Sequence, residues 1–520
     1  MGSSPPPESP STHDALTTFT RPASSQPGTG ANDPRRTVAR SYDMQYHGTA
    51  EERGGNPPHS TYYDRGRFGR LFAGLPRYNP DPMQLMQLGA VGGPMDAQDT
   101  GPVNPENRDH PTALPAGFTF LGQFVDHDIT FDPTSSLERQ VDPEAIQNFR
   151  TPNLELDSVY GSGPGASPYL YSRVHRDKLL IGEATDGNPN DLARNSEGTA
   201  LIGDPRNDEN QIVSQLHLAI IKFHNAVVDW VGAAVPAGRS RFEEAQRLVR
   251  WHYQHMLVHE FLPHICGHDT VTDVLENGRQ FYRWRHEPYI PVEFSVAAYR
   301  FGHTQVRPGY ALSGSFARAL FATGPSPAPP ALPGDLRGGR RIAPEQVIEW
   351  HRFFDVAGNA DERQPSKRFD ARLSTPLLNL PFATGTPEDP ASLAQRNLMR
   401  GRTFGLPSGQ SVARAMRSSL RPGAPVAIDV LDPGEMPELQ PIGLAAHTPL
   451  WYYILREADI RADGRHLGPV GARIVAEVII GLLEGDPLSY LATDAEWQPF
   501  LAGSSSFGMS DLLRFTGLAS

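Results

Sequence analysis

The chain has 520 residues, 38% hydrophobic and 20% charged, which is enough apolar material for a large core and unlike a chain disordered throughout. Its net charge of −12, with no long basic run, excludes a general binder of nucleic acid or anionic membrane, since such surfaces need net or clustered positive charge. Cys266 is the only cysteine, so an intrachain disulfide, a cysteine zinc knuckle, an iron–sulfur cluster and a CxxCH attachment are excluded, and any metal must be held by His, carboxylate or carbonyl.

Residues 1–64 are rich in Pro, Ser and Gly without periodicity, and read as an N-terminal arm, either mobile or wrapped on the body. They hold no apolar run of the kind a secretory signal carries. Residues 65–520 read as one large domain, because the Pro/Gly connections at 324–341 and 373–389 separate no self-sufficient segments. Ile212, Leu216, Ala219, Ile220, Phe223, Val227 and Trp230 recur at helical spacing and predict a long amphipathic helix after Arg206. Phe242, Ala245, Leu248, Val249, Tyr253 and Met256 predict a second, which Pro263 should close. Val470, Ile474, Val475, Val478, Ile479, Leu482 and Leu483 predict a third, strongly buried, halted by Gly485-Asp486-Pro487. Proline is 50 of 520 residues, roughly twice the average share of about 5%. The fold expected is therefore mainly α but rich in loops, and no stretch approaches the ~18 apolar residues of a membrane span.

Three polar clusters stand out from this background. In Gly122-Gln123-Phe124-Val125-Asp126-His127-Asp128 a histidine lies between two aspartates, an arrangement that a core tolerates only beside a compensating metal or polar cavity. Gly203-Asp204-Pro205-Arg206-Asn207-Asp208-Glu209 opens the first long helix, where carboxylates suit the positive end of the helix dipole. Arg300-Phe301-Gly302-His303-Thr304 places a histidine after a glycine that admits a flat group or another backbone. Alone, the second cluster is a helix cap and the third a structural histidine.

Together with Thr151-Pro-Asn-Leu-Glu-Leu-Asp-Ser-Val-Tyr-Gly161 and Asn397-Leu-Met-Arg-Gly-Arg-Thr-Phe-Gly-Leu-Pro407, and in the same order, these clusters resemble the signatures of the peroxidase–cyclooxygenase superfamily, in its animal-type, myeloperoxidase-like group. The resemblance spans nearly the whole body. It implies a large single-domain fold with haem b buried between core helices, and a peroxidase that consumes hydrogen peroxide and oxidises a small donor, in keeping with a response to oxidative stress. His127 matches the distal base and Arg206 its fixed positive partner. Gln123 matches the amide that holds water or halide near the iron, His303 the proximal iron ligand, and Asn397 the acceptor for the ligand's other nitrogen. Arg300 and Arg400 pair either with haem propionates or in ordinary salt bridges.

Asp126 and Glu209 match the positions that form ester links to haem methyl groups in animal members. Asn210 stands where myeloperoxidase carries a methionine sulfonium link, so that third bond should be absent and chloride oxidation is less expected than that of bromide, iodide or thiocyanate. Asp128, Thr151, Asn153 through its carbonyl, Glu155 and Asp157 match a Ca2+ loop, with Glu155 where many relatives have Asp. The same residues could also form a solvent-facing acidic turn.

Other classes fit less well. His255 and His259 lie four apart with Glu260 adjacent, as in a zinc hydrolase, but the HExxH order is missing and His264 comes one position late, beyond Pro263. The superfamily's fatty-acid dioxygenases carry a radical-forming tyrosine three residues before the proximal histidine, where this chain has Arg300. Retention of both His127 and Arg206 counts against a non-catalytic haem or adhesion module, and Cys266 lacks the glycine-bearing loop of a thiolate haem ligand.

Overall fold

Helix periodicity and caps account for most of the architecture. In the computed structural model the described residues are 68–99, 114–130, 152–236, 238–284, 287–322, 334–356, 360–387, 389–501 and 506–519. The arm assigned to residues 1–64, its boundary with the body and Thr151 lie outside them.

Helix α1 (Ala116–Ile129) is apolar through its first turns and buried at every position but Gln123 and Asp126, so the polar residues of its last turns lie inside the protein. Gly117 allows this, since a Cβ there would lie 2.4 Å from the ring of Phe354 and 2.5 Å from the carbonyl oxygen of Phe353. Helix α2 (Gln211–Val231) starts at Asn210, whose side chain accepts hydrogen bonds from the N–H groups of Ile212 and Val213. Helix α3 (Arg241–Met256) starts with a Ser240–Glu243 capping box. Helix α2 packs against α1 on one side and α3 on the other. Helices α4 (Leu393–Thr403), α5 (Leu450–Arg461) and α6 (Pro469–Gly485) follow. Helix α6 is buried along most of its length, beside α5 and the Leu262–Cys266 and His268–Asn277 helices.

Strands are few. Among the described residues, β1 (Phe68–Gly69) pairs in parallel with β2 (Ile290–Pro291), with Phe68 opposite Ile290. Strand β3 (Gly309–Ser313) pairs antiparallel with β4 (Phe316–Ala319) through one irregularity between Ala311 and Ser313. The mainly α expectation therefore holds.

Two local expectations need correction. Pro263 does not end the second helix: the chain passes through a π-helical turn, Leu257–Phe261, into another helical segment, Leu262–Cys266. Pro263 falls in the first turn of that segment, where its missing N–H costs little, and Gly267 at φ +78° ends the run. Trp230 is 55% exposed rather than part of the buried stripe, because it sits at the outer end of α2, with its ring 5.6 Å from that of Phe500.

Candidate active site

The distal cluster is built from the end of α1 and a 3-10 turn, Pro205–Asp208, that feeds α2. Asp204 caps the turn and pairs with Arg206, Oδ2 to Nη2 at 2.8 Å, while the same Nη2 donates to the carbonyl oxygens of His127, at 3.1 Å, and Thr130. Arg206 thus ties the C-terminal end of α1, where carbonyls lack helical partners, to the turn that precedes α2.

His127 is 4% exposed, and its Nδ1 lies 2.8 Å from Asn207 Oδ1. The Nδ2 of Asn207 is in turn 3.0 Å from Nδ1 of His217, a fully buried residue of α2. With the amide in this orientation, Nδ1 of His127 donates and the Nε2 lone pair remains for other work. That Nε2 is 3.8 Å from Oε1 of Glu209. Gln123, one turn before His127, donates to Glu209 and accepts from Asn210 Nδ2 at 3.2 Å.

Burial pushes the Glu209 carboxyl up to about 7, against the pull of Arg206, and also raises that of Asp126, despite Arg206 and Arg300 nearby. Glu209 nevertheless keeps 42% of its side-chain surface accessible.

A second layer holds this turn. Arg194 pairs with Asp208, Nη1 to Oδ2 at 2.6 Å, and with Asp191, Nε to Oδ2 at 3.1 Å, all buried. The Leu336–Gly339 strap bonds to the turn from Gln211 N to Leu336 O at 2.9 Å, Gly338 N to Glu209 O at 2.8 Å and Gly339 N to Asp208 O at 2.9 Å.

On the other side, His303 lies in a short helix, Gly302–Gln305, that packs against α1. Burial lowers its imidazole to about 3, with Arg300 adding to the shift, so the ring is neutral. Its Nδ1 is 2.8 Å from Asn397 Nδ2, and Arg300 Nη1 donates to Asn397 Oδ1 at 2.5 Å. This differs from the acceptor role expected of Asn397: a guanidinium has only donors, so Arg300 claims the amide oxygen and leaves the NH2 facing His303. Trp451 of α5 donates to the Arg300 carbonyl at 3.2 Å, and Tyr299 Oη donates to Gly122 O at 3.3 Å, joining the proximal segment to α1. Arg400 lies over the Phe404 ring at 5.5 Å.

In the calcium region, Asp128 is fully buried and accepts from Leu156 N at 3.2 Å and Ser158 Oγ at 3.4 Å. Asp157 and Asn153 are also buried, and Leu156 takes the left-handed conformation at φ 59° to bring the segment round. Glu155 faces Arg250: its carboxylate is 3.8 Å from Nη2 and its carbonyl accepts from Nε at 2.6 Å.

The structure thus groups Gln123, Asp126, His127, Arg206 and Glu209 around the end of α1 and Arg300, His303 and Asn397 around the Gly302–Gln305 helix, with Arg300 close enough to Asp126 to act on its charge. Sequence reasoning missed Asn207, His217, Asp204, Arg194 and Gly338. Asn207 and Asp204 lie inside a motif already singled out, whereas His217 is ten residues further along and looks like one more buried helix position. The hydrolase alternative loses its base, because Glu260 accepts from Met509 N at 2.8 Å at the start of the last helix, and His264 packs on Phe118 with rings 4.7 Å apart.

Residues 138–420, more than half of the chain, match the family model described as animal haem peroxidase, and that span includes Arg206, His303 and Asn397. The chain is 26% identical over 272 residues to a chorion peroxidase of Aedes aegypti, covering 48% of this chain and 32% of that one. It is 27% identical over 360 residues to a chorion peroxidase of Drosophila melanogaster, covering 65% and 41%. It therefore spans less than half the length of these relatives. Among solved structures, peroxidase A from Dictyostelium discoideum superposes over 91% of this chain and 96% of its own with a TM-score of 0.58 at 15% identity. A fatty acid alpha-dioxygenase of Arabidopsis thaliana does so over 92% and 82%, with a TM-score of 0.52 at 15% identity. Likeness at that identity shows the fold. The chain belongs to the animal haem peroxidase family, an oxidoreductase family whose members imply haem. No helix among the described residues is long and apolar enough to cross a membrane.

Proposed function

We propose that residues 65–520 form a haem peroxidase that reduces hydrogen peroxide to water while oxidising a small donor such as a phenol, bromide, iodide or thiocyanate, with residues 1–64 as an arm. The observation that carries this reading is the pair of imidazoles, on segments that pack together, each with its Nδ1 held by an asparagine. The donor set suits the cofactor: burial keeps the half-buried His303 imidazole neutral, and a Cβ added at the adjacent Gly302 meets nothing within 4 Å, so there is room beside it.

Haem supplies the iron at which the peroxide O–O bond is cleaved and stores the oxidising equivalents until the donor delivers electrons. His303 would hold that iron through Nε2. Its Nδ1 proton would then need an acceptor, which Asn397 would provide with its amide turned over and its oxygen released by Arg300. His127 Nε2, unprotonated because the ring proton is committed to Asn207, would accept a proton from one peroxide oxygen and return it to the oxygen that leaves as water. Arg206 holds a permanent positive charge beside His127, anchored through Asp204, and so favours charge building up on the leaving oxygen. Gln123, its amide held between Glu209 and Asn210, positions water or halide.

Asp126 and Glu209 have their ionised forms disfavoured by burial, and esters to haem methyl groups would remove those charges altogether. Asp128 and Asp157 are buried carboxylates, and Ca2+ shared with Thr151, Glu155 and the Asn153 carbonyl would place a cation beside them. Metal analysis of the purified protein should find about one calcium per chain, and Asp128→Ala should lose it.

Arg300 holds Asn397 and offers no phenol at the position where the dioxygenases have theirs. Turnover with each donor tests the choice: oxidation should require added peroxide. Oxygen uptake with an unsaturated fatty acid and no peroxide would replace the peroxidase reading with the dioxygenase one.

A further inference from the structure

The histidine pair that the active site leaves unused lies where α3 passes into the π-helical turn Leu257–Phe261. His255 and His259 stack with ring centroids 4.1 Å apart and planes 30° apart. Histidines four apart on a helix project on one side and can share an ion, and single π turns recur at functional sites.

Hydrogen bonding separates His255 from two other buried histidines, His252 and His224. His252 donates from Nδ1 to Leu248 O at 2.7 Å, and its Nε2 accepts from the N–H groups of Phe500 at 3.3 Å and Leu501 at 3.4 Å. His224 accepts from Tyr160 Oη at 3.0 Å and donates to Asp177 O at 2.8 Å. His255 is 3% exposed, yet its Nδ1 is sealed from solvent without a hydrogen-bond partner. A buried polar atom left in this way requires an explanation, and an ion is one of the few available. Among the described residues, the side chain hydrogen-bonded to the pair is that of Tyr490, itself buried, whose hydroxyl is 3.2 Å from His259 Nε2, with Trp497 beside it.

We propose that His255 and His259 form a second metal site, separate from the haem site, for one divalent transition cation of the imidazole-preferring class, Cu2+ or Zn2+, with the Tyr490 hydroxyl at its edge. Neutral nitrogen donors with no carboxylate select such a cation over Ca2+ or Mg2+. Because Glu260 is committed to the start of the last helix, no general base faces the ion, and the site is a binding or structural one rather than a hydrolytic centre.

Cu2+ titrated into the chelator-treated holoenzyme tests this, with calorimetry for affinity and electron paramagnetic resonance for ligands. The wild type should take up one tight equivalent whose spectrum shows hyperfine splitting from two imidazole nitrogens. His259→Ala, at an exposed position, should weaken that equivalent by more than about 100-fold, since loss of even an outer partner costs 10–100-fold. His255→Phe, which keeps an aromatic ring in the core, should do the same. Haem content and peroxide turnover should stay at wild-type levels in both. Equal Cu2+ affinity and splitting in wild type and both variants, or no tight equivalent in the wild type, would overturn the site without touching the peroxidase reading.

Discussion

Asn207 Oδ1 holds Nδ1 of His127 at 2.8 Å, and its amide NH2 reaches Nδ1 of His217 at 3.0 Å, so a single side chain orients the His127 ring and ties it to the core of α2. Asn207→Ala should therefore leave haem bound while slowing the reaction with peroxide by about 10–100-fold, the usual cost of removing an orienting partner. Asn207→Asp keeps an acceptor for the His127 proton and should recover most of the rate. Stopped-flow rate constants for the three proteins check this, and equal rates would remove Asn207 from the mechanism.

Gly338 comes so close to the distal turn that an added Cβ would lie 1.8 Å from the carbonyl oxygen of Asp208. Gly338→Ala must push the strap away from residues 208–211, at a cost of about 1–3 kcal/mol as for other overpacked sites. Thermal unfolding should show the loss of stability, and peroxide turnover should fall with it, because the displaced turn carries Arg206, Asn207 and Glu209. A variant with wild-type melting and turnover would show that the strap moves freely.

Glu457, fully buried in α5, accepts from Val470 N at 2.8 Å at the start of α6, and burial still outweighs those donors and raises its carboxyl to about 8. From its ordinary value of 4.5 up to about 8, the unfolded chain gives up a proton that the folded chain retains, so this group takes away stability as pH rises through that window. Glu457→Gln keeps the acceptor and cannot ionise. It should unfold like the wild type at pH 4 and be more stable by a few kcal/mol at pH 8. Denaturant unfolding at the two pH values checks the sign, and a difference that shrinks as pH rises would contradict it.

Asp126→Ala and Glu209→Ala should each make haem easier to remove by acid–organic extraction, with the double variant losing it completely. Free extraction of haem from the parent protein would show that neither ester forms.

The helices and the two histidine motifs were legible in the sequence for physical reasons. Stripes such as Val470 to Leu483 repeat at the helical period, and the chemistry proposed for His127 and His303 rests on a few adjacent residues of distinctive type. What escaped depends on tertiary context. Pro263 looks like a stop, and only the π turn before it lets the chain remain helical. Trp230 fits the apolar stripe of α2, but the helix end extends past the core. The amide of Asn397 is oriented by Arg300, 97 residues away in sequence. His217 joins the distal chain only because α2 begins where Asn207 ends its turn. Of the calcium set, Asp128 and Asp157 are buried where a cation would serve them, while Glu155 is shared with Arg250, a contact that no local pattern records.

The most direct measurement is rapid-mixing absorption spectroscopy of the haem-loaded protein with peroxide, comparing wild type with His127→Ala and His303→Ala. The wild type should change its Soret band within milliseconds. His127→Ala should keep the resting haem spectrum and react about 10²–10⁴-fold more slowly, the range lost with a general acid–base group, and His303→Ala should lose the resting spectrum itself. A His127→Ala protein that reacts as fast as the wild type, or a His303→Ala protein with an unchanged haem spectrum, would contradict the placement of haem between these two imidazoles.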